Sequence, residues 1–424
     1  MNKKTYDILN ETLYSYTHSS GLKVYMVVKP GFAKSCAYFS TNYGSTTNKF
    51  VPKGENEPIT VPDGVAHFLE HKVFEQPDGS SVFDAFSKFG AYANAYTSFN
   101  MTTYYFWCTE NFRENLKTLV DFVQTPYFTH ENVAKEQGII GQEIKMYEDD
   151  PGWSCYFNML QGLYENHTVR LDIAGTVDSI SKITKNTLYT CYNTFYNPSN
   201  MTLCLVGDFD AEQMKNYLDG ILSPANPIPE ILRIMPNEPA RINRPHSVRK
   251  MSVMTPVYAI GFKETNLLGE LETRRNAAKT ALELLIGKSS KLYNSLYEDG
   301  LITASFSTDY TGEKDYGFIE ITDEGEGAEK TAKKIVEGIK NFKFDAVDFE
   351  RIKRKRFGRS LHIFDDPEAY AGALARNVTG GVDLYKSVEM AEKITEKEVK
   401  NVFESILSPE NITLSQILPA EEKL

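Results

Sequence analysis

The chain has 424 residues, 41% hydrophobic and 24% charged, which exceeds one hydrophobic core and predicts two ordinary globular domains. Its net charge of −11 argues against nucleic acid or an anionic membrane as partner and disfavours acidic substrates. Five cysteines, Cys36, Cys108, Cys155, Cys191 and Cys204, are odd in number and show no C-x-x-C spacing, so they read as small core residues and not as a disulfide or thiolate-metal framework. The opening Met1 to Asp7 lacks an apolar signal core, and no apolar run approaches the ~18 residues of a membrane span. The expectation is a cytoplasmic protein.

Leu22 to Val28 and Ser35 to Ser40 read as neighbouring strands joined by the turn Lys29-Pro30-Gly31. A helical stretch then carries His67-Phe68-Leu69-Glu70-His71. Histidines at i and i+4 lie on one helix face, so both imidazoles can grip one metal ion with Glu70 beside them. Composition alone would produce such a pentapeptide roughly once in sixty chains of this kind, which favours a metal site over a polar helix face. Zinc takes neutral imidazole nitrogens and in catalytic sites keeps a position for water, whose pKa it lowers toward ~7; a neighbouring carboxylate can then serve as general base. His67 and His71 are the candidate ligands and Glu70 the candidate base, in the H-x-x-E-H order that inverts the commoner H-E-x-x-H.

Farther along, Gly90 to Ser98 reads as strand and turn, and Thr102 to Cys108 as an aromatic, β-branched strand. Helices are predicted over about 112–124, 131–147, 153–164 and 185–195. In the second, Val133, Ile140 and Ile144 form an apolar stripe, while Glu136 and Glu143, two turns apart, share another face. Either glutamate alone reads as a solvated charge. Beside a two-histidine motif that needs a third protein ligand, Glu143 becomes the candidate. Strand pairs with inserted helices predict α+β domains, each with an antiparallel sheet covered by helices on one face.

A proline-rich stretch from Ser223 to Pro229, followed by Pro236, Pro239 and Pro245, cannot continue a helix or a central strand. It predicts a linker over 223–246 between domains at 1–222 and 247–424. The halves read as copies. Ile183-Thr184 through Leu203 aligns without a gap onto Ile394-Thr395 through Leu414, each running from a helix into a Pro-x-Asn turn and a strand. Phe128 and Asp149-Asp150-Pro151 are echoed by Phe344 and Asp365-Asp366-Pro367. Together, and in order, these matches indicate duplication. The second copy has no H-x-x-E-H, and the same alignment puts Arg359 opposite Glu143 and Ile352 opposite Glu136, so only the first domain is expected to hold metal.

On these motifs the chain resembles the pitrilysin-type zinc metallopeptidases, above all short bacterial members that carry H-F-L-E-H-K and I-I-G-Q-E-I-K-M-Y, present here at 67–72 and 139–147. The resemblance covers the first half well and the second more thinly. It implies one zinc per chain held by His67, His71 and Glu143, with Glu70 as base and Glu136 supporting the site without binding metal. It also implies that Asn94, Ala95 and Tyr96 lie on an edge strand that takes an extended peptide by strand addition. Many members supply an arginine and a tyrosine from the second domain. In the matching stretch Ser289 to Leu301 and beyond, Tyr297 stands in the arginine's place and Ala304 in the tyrosine's, and the roles of Tyr293 and Tyr297 stay open. The implied assembly is a dimer, with a paralogous subunit that supplies the pair or otherwise with a second copy. The implied activity is zinc-dependent hydrolysis of peptides or unstructured segments. A noncatalytic scaffold and a processing peptidase for one precursor are the alternatives.

Overall fold

A computed structural model describes residues 1–7, 9–223, 225–267 and 269–420; Pro224 of the proline-rich stretch lies outside them. In chain order the first half contains β1 (Asn2–Tyr6), β2 (Glu11–Thr17), β3 (Lys23–Val28), β4 (Ser35–Thr41), β5 (Lys49–Phe50), β6 (Ile59–Thr60), α1 (Val65–Val73), α2 (Val82–Lys88), β7 (Ala91–Thr97), β8 (Thr102–Cys108), α3 (Phe112–Val123), α4 (His130–Glu148), α5 (Pro151–Leu163), α6 (Val177–Ser181), α7 (Lys185–Phe195), β9 (Met201–Gly207) and α8 (Ala211–Ile221). The second contains β10 (His246–Met251), β11 (Val257–Lys263), α9 (Leu271–Ile286), α10 (Lys291–Glu298), β12 (Ser307–Gly312), β13 (Gly317–Glu324), α11 (Ala328–Lys340), α12 (Ala346–Leu361), α13 (Pro367–Thr379), α14 (Leu384–Lys393), α15 (Glu396–Ser405) and β14 (Ile412–Pro419).

The first compact unit comprises Met1–Ile144, Asp172–Met235 and Leu361–Leu384. Its sheet runs β1-β2-β3-β9-β4-β8-β7 and is antiparallel except for the β3–β9 pair. The expected pairing of β3 with β4 is therefore replaced: β9 lies between them. All seven residues of β9 are buried. A strand that is apolar on both faces is accommodated only inside a sheet, and β9 takes that place. Residues of α1, α3, α4, α7 and α8 join the core on one face. The central strands are also covered on the other face, where α13 packs on β4 and β9, so the expectation of a single covered face fails there.

The second unit comprises Lys145–Leu171, Pro236–Ser360 and Tyr385–Leu424. Its sheet runs β10-β14-β11-β13-β12, with β10 and β14 parallel and the other pairs antiparallel. That order and those directions repeat β3-β9-β4-β8-β7. Capping repeats as well: Thr184 and Thr395 accept backbone N–H groups at the starts of α7 and α15, and Asp150 and Asp366 do so before the leading prolines of α5 and α13. The fold is α+β with a duplicated domain. The compact units are discontinuous because α5 packs on β11 and β14 of the second unit, whereas its counterpart α13 belongs to the first. Gly261 permits the close approach of α5, since a Cβ there would stand 2.7 Å from the Met159 side chain. A boundary in the proline-rich stretch thus separates the duplicated sequences and not the compact bodies. All five cysteines are buried and free, and burial pushes the thiol of Cys191 up to about 12. Among the described residues no helix is long and apolar enough to cross a membrane.

Glu238 ties the end of the connector to the second unit. Its carboxylate accepts the backbone N–H groups of Glu165 (3.0 Å), Asn166 (2.7 Å) and His167 (2.7 Å) and the Lys263 ammonium (2.5 Å). Burial works against the charge, but the four donors outweigh it and hold the carboxyl below its ordinary value. A depressed carboxyl contributes stability that is present above its unfolded pKa and is lost as pH falls through the folded one. Glu238→Gln, which leaves the buried Lys263 without its counter-charge, is expected to cost about 3 kcal/mol at pH 7 by denaturant unfolding. The gap to wild type should close in acid below the ordinary carboxyl range. A gap independent of pH would contradict this account.

Candidate metal centre

The α1 helix starts at Gly64, whose φ of 90° suits glycine and whose missing Cβ leaves room for Ala174 O, only 2.4 Å from where that atom would stand. Val65, Ala66, Phe68, Leu69, Lys72 and Val73 are buried, which leaves His67, Glu70 and His71 on the less buried side. On α4, Val133, Ile140 and Ile144 enter the same core and fix the turn of the helix that presents Glu136 and Glu143.

These five side chains converge. His67 Nε2 lies 3.7 Å from Glu143 Oε1, and His71 Nε2 lies 3.5 Å from Glu143 Oε2. One ligand atom from each of His67, His71 and Glu143 falls within 4.8 Å of the other two. Bonds of about 2.0–2.1 Å in a tetrahedron put neighbouring ligand atoms about 3.4 Å apart, which the 3.5 Å from His71 Nε2 to Glu143 Oε2 already suits, while the 3.7 Å from His67 Nε2 runs to the other oxygen of Glu143. His71 Nδ1 is 3.0 Å from Glu136 Oε1. A carboxylate there favours a proton on Nδ1 and leaves the Nε2 lone pair facing Glu143, the arrangement of a metal-binding histidine.

The electrostatics agree. Burial, reinforced by the charge of His71, pushes His67 down to about 3, so its ring is neutral at pH 7; its Nδ1 is buried with no hydrogen-bond partner. Burial pulls His71 down as well, but Glu136, Glu143 and Glu70 outweigh it and raise its pKa. The carboxylates that draw a proton onto His71 would equally stabilise a cation between the rings. Burial raises the Glu70 carboxyl, while a 2.6 Å hydrogen bond from Thr97 Oγ1 to Oε2 partly opposes the shift. Partial burial works against the charge of Glu136 as well, yet its bond to His71 and its contact with Lys72 lower its pKa.

Asn94, Ala95 and Tyr96 lie on β7, the edge strand, whose next residue, Thr97, touches Glu70. Ala95 N–H donates to the Asn94 side chain at 2.8 Å, which occupies a backbone donor of the strand. Two residues of this centre were not singled out from the sequence: Thr97, which fell within a quoted strand, and Lys72, which a helix pattern would assign to solvent. In the second unit Ile352 is buried in the core, and on α10 the rings of Tyr293 and Tyr297 stack at 6.3 Å, with Tyr297 56% exposed.

Two family models match the chain: Insulinase (Peptidase family M16) over residues 55–177 and Peptidase M16 inactive domain over 182–356. A Bacillus subtilis protein named uncharacterized zinc protease YmfH is 43% identical over 421 residues, 98% of each chain. An M16-like peptidase from Alicyclobacillus acidocaldarius is similar in structure with a TM-score of 0.92 and 32% identity, covering 97% of this chain and 99% of that one. A protease from Helicobacter pylori, at 19% identity and a TM-score of 0.82 over 96% and 99%, shares the fold. With a metal-ready His67–His71–Glu143 cluster in the first half and a match to the inactive domain across much of the second, this chain belongs to peptidase family M16.

Proposed function

We propose that the protein is a zinc-dependent metalloendopeptidase acting on peptides or unstructured segments, with one zinc held by His67, His71 and Glu143. The observation that carries this reading is the convergence of those three side chains beside Glu70, a partly buried carboxylate on the same helix as both histidines. A zinc ion there would supply Lewis acidity and lower the pKa of a bound water. Glu70 takes the proton of the attacking water and passes it to the leaving amine, a role suited by a proton affinity raised above that of an ordinary carboxylate. Thr97 aims one of its oxygens. Glu136 orients His71 and does not bind metal.

An extended peptide would add to the free edge of β7, contacting Asn94, Ala95 and Tyr96 and displacing the Asn94 side chain from the Ala95 N–H. Thr97 couples that strand to the base. The zinc-bearing domain is assigned to 1–222 and its noncatalytic copy to 247–424, joined through 223–246. With tyrosine and alanine where an arginine and a tyrosine are expected, the oxyanion donors come from a paralogous subunit in a dimer. The net charge of −11 and the absence of a membrane-crossing helix among the described residues support action on soluble peptides in the cytoplasm.

Three measurements test this. Glu70→Gln should keep stoichiometric zinc and lose more than the ~10²-fold in turnover that general acid–base groups typically contribute; substantial hydrolysis by that variant would sink the mechanism. Glu143→Gln should weaken zinc binding sharply, whereas Glu136→Gln should keep the metal and lose ~10- to 100-fold in turnover. Metal loss confined to the Glu136 variant would reverse the assignment. The isolated chain should cleave peptides poorly, and adding a paralogous subunit should raise the rate ~10²- to 10³-fold. Full activity of the purified chain alone would remove the need for a partner.

A further inference from the structure

Lys72 is only 1% exposed, although an ammonium ion is costly to take out of water unless oxygens surround it. It follows His71 directly and turns toward α4, where Nζ lies 3.3 Å from Asn132 O and 3.6 Å from Glu136 Oε2. The Glu75 carboxylate is its third partner. The two oxygens of Glu136 thus face different groups, Oε1 the ring of His71 and Oε2 the ammonium of Lys72. Asn132 and Glu136 stand one turn apart, so Lys72 grips a full turn of the helix that also carries Glu143.

We propose that Lys72 is a positioning residue of the metal centre: it holds Glu136 in the orientation that fixes the His71 ring, and it sets the register of α4 on α1 that places Glu143 opposite both histidines. This rests on the zinc reading above. The line of action runs from Lys72 through Glu136 and the Nδ1–H of His71 to the Nε2 that faces the metal position. A lysine buried only for packing would make none of those groups depend on its charge.

The test replaces Lys72 by methionine, which keeps the unbranched stem one atom shorter and removes the charge. Zinc affinity, measured by competition with a chromophoric chelator, should fall ~10- to 100-fold, the cost typical of losing support behind a metal ligand. Glu136→Gln, which still holds the metal, should lower zinc affinity by a comparable ~10- to 100-fold, and Lys72→Met added to it should cost much less than it does alone, because most of its effect passes through the Glu136 contact. Unchanged zinc affinity in Lys72→Met, or losses that simply add in the double variant, would overturn the proposal. Should Lys72→Met not fold, Lys72→Gln keeps a donor for Asn132 O without the charge and carries the same comparison. Lys72→Arg should recover affinity relative to either. Nitrogen NMR of His71 in the zinc-free protein at alkaline pH should show one tautomer, protonated at Nδ1, in wild type and a mixture in Lys72→Met; an unchanged tautomer would also overturn the proposal. That readout uses neither metal nor peptide, so it separates this inference from a failure of the peptidase reading, which would show as zinc binding without hydrolysis in the presence of a partner.

Discussion

His71 sits between two carboxylates, with Glu136 on its Nδ1 side and Glu143 opposite Nε2, and much of the first unit serves to hold α1 and α4 at the separation this requires. Neither helix could keep that relation alone. Phe68 and Leu69 on α1 and Val133, Ile140 and Ile144 on α4 enter one continuous core with β4, β8 and β9, so moving one helix against the other would open cavities. The polar residues occupy the strip that the core leaves over. The three carboxylates and the buried ammonium are accommodated in so small a volume because each faces an opposite charge or a donor, while the ring of His67 is neutral.

The duplicated architecture shows the same frame built without the His67–His71–Glu143 cluster. The second sheet keeps the order and directions of the first, and α12 occupies the position of α4. Where the first copy carries Glu136, the second carries Ile352, buried at 2% exposure in the core of its unit. A carboxylate at that depth needs a partner such as His71; an isoleucine needs only neighbours.

The exchange of α5 and α13 accounts for the burial of the central strands. A sheet with helices on one face alone would leave the outer sides of β4 and β9 wet, and their apolar residues on both faces would be unfavourable. With α13 over them, every residue of both strands is buried. At one edge β7 keeps a free side, and the Asn94 side chain occupies one of its donors.

Much of the centre was legible in the sequence because it depends on local geometry. The i, i+4 spacing of His67 and His71 and the two-turn spacing of Glu136 and Glu143 follow from helical periodicity, as do the predicted spans of α3, α4, α5 and α7. The echo of Thr184 and Thr395, and of Asp150 and Asp366, foretold the duplication, and the structure shows those residues as repeated helix caps. Other features depend on residues far apart in the chain. Periodicity states which face of an element is apolar but not which element will cover it, so the insertion of β9 between β3 and β4 and the second covered face could not be read from the strands themselves. Lys72 and Thr97 escaped for the same reason. A lysine on a helix and a threonine on a strand are ordinarily solvated, and only the packing of α4 and β7 around α1 turns one toward Glu136 and the other toward Glu70. The sequence by itself determined the candidate donors and their spacing; tertiary structure alone decided which charges are buried together, because burial is a property of the assembled core and not of any segment.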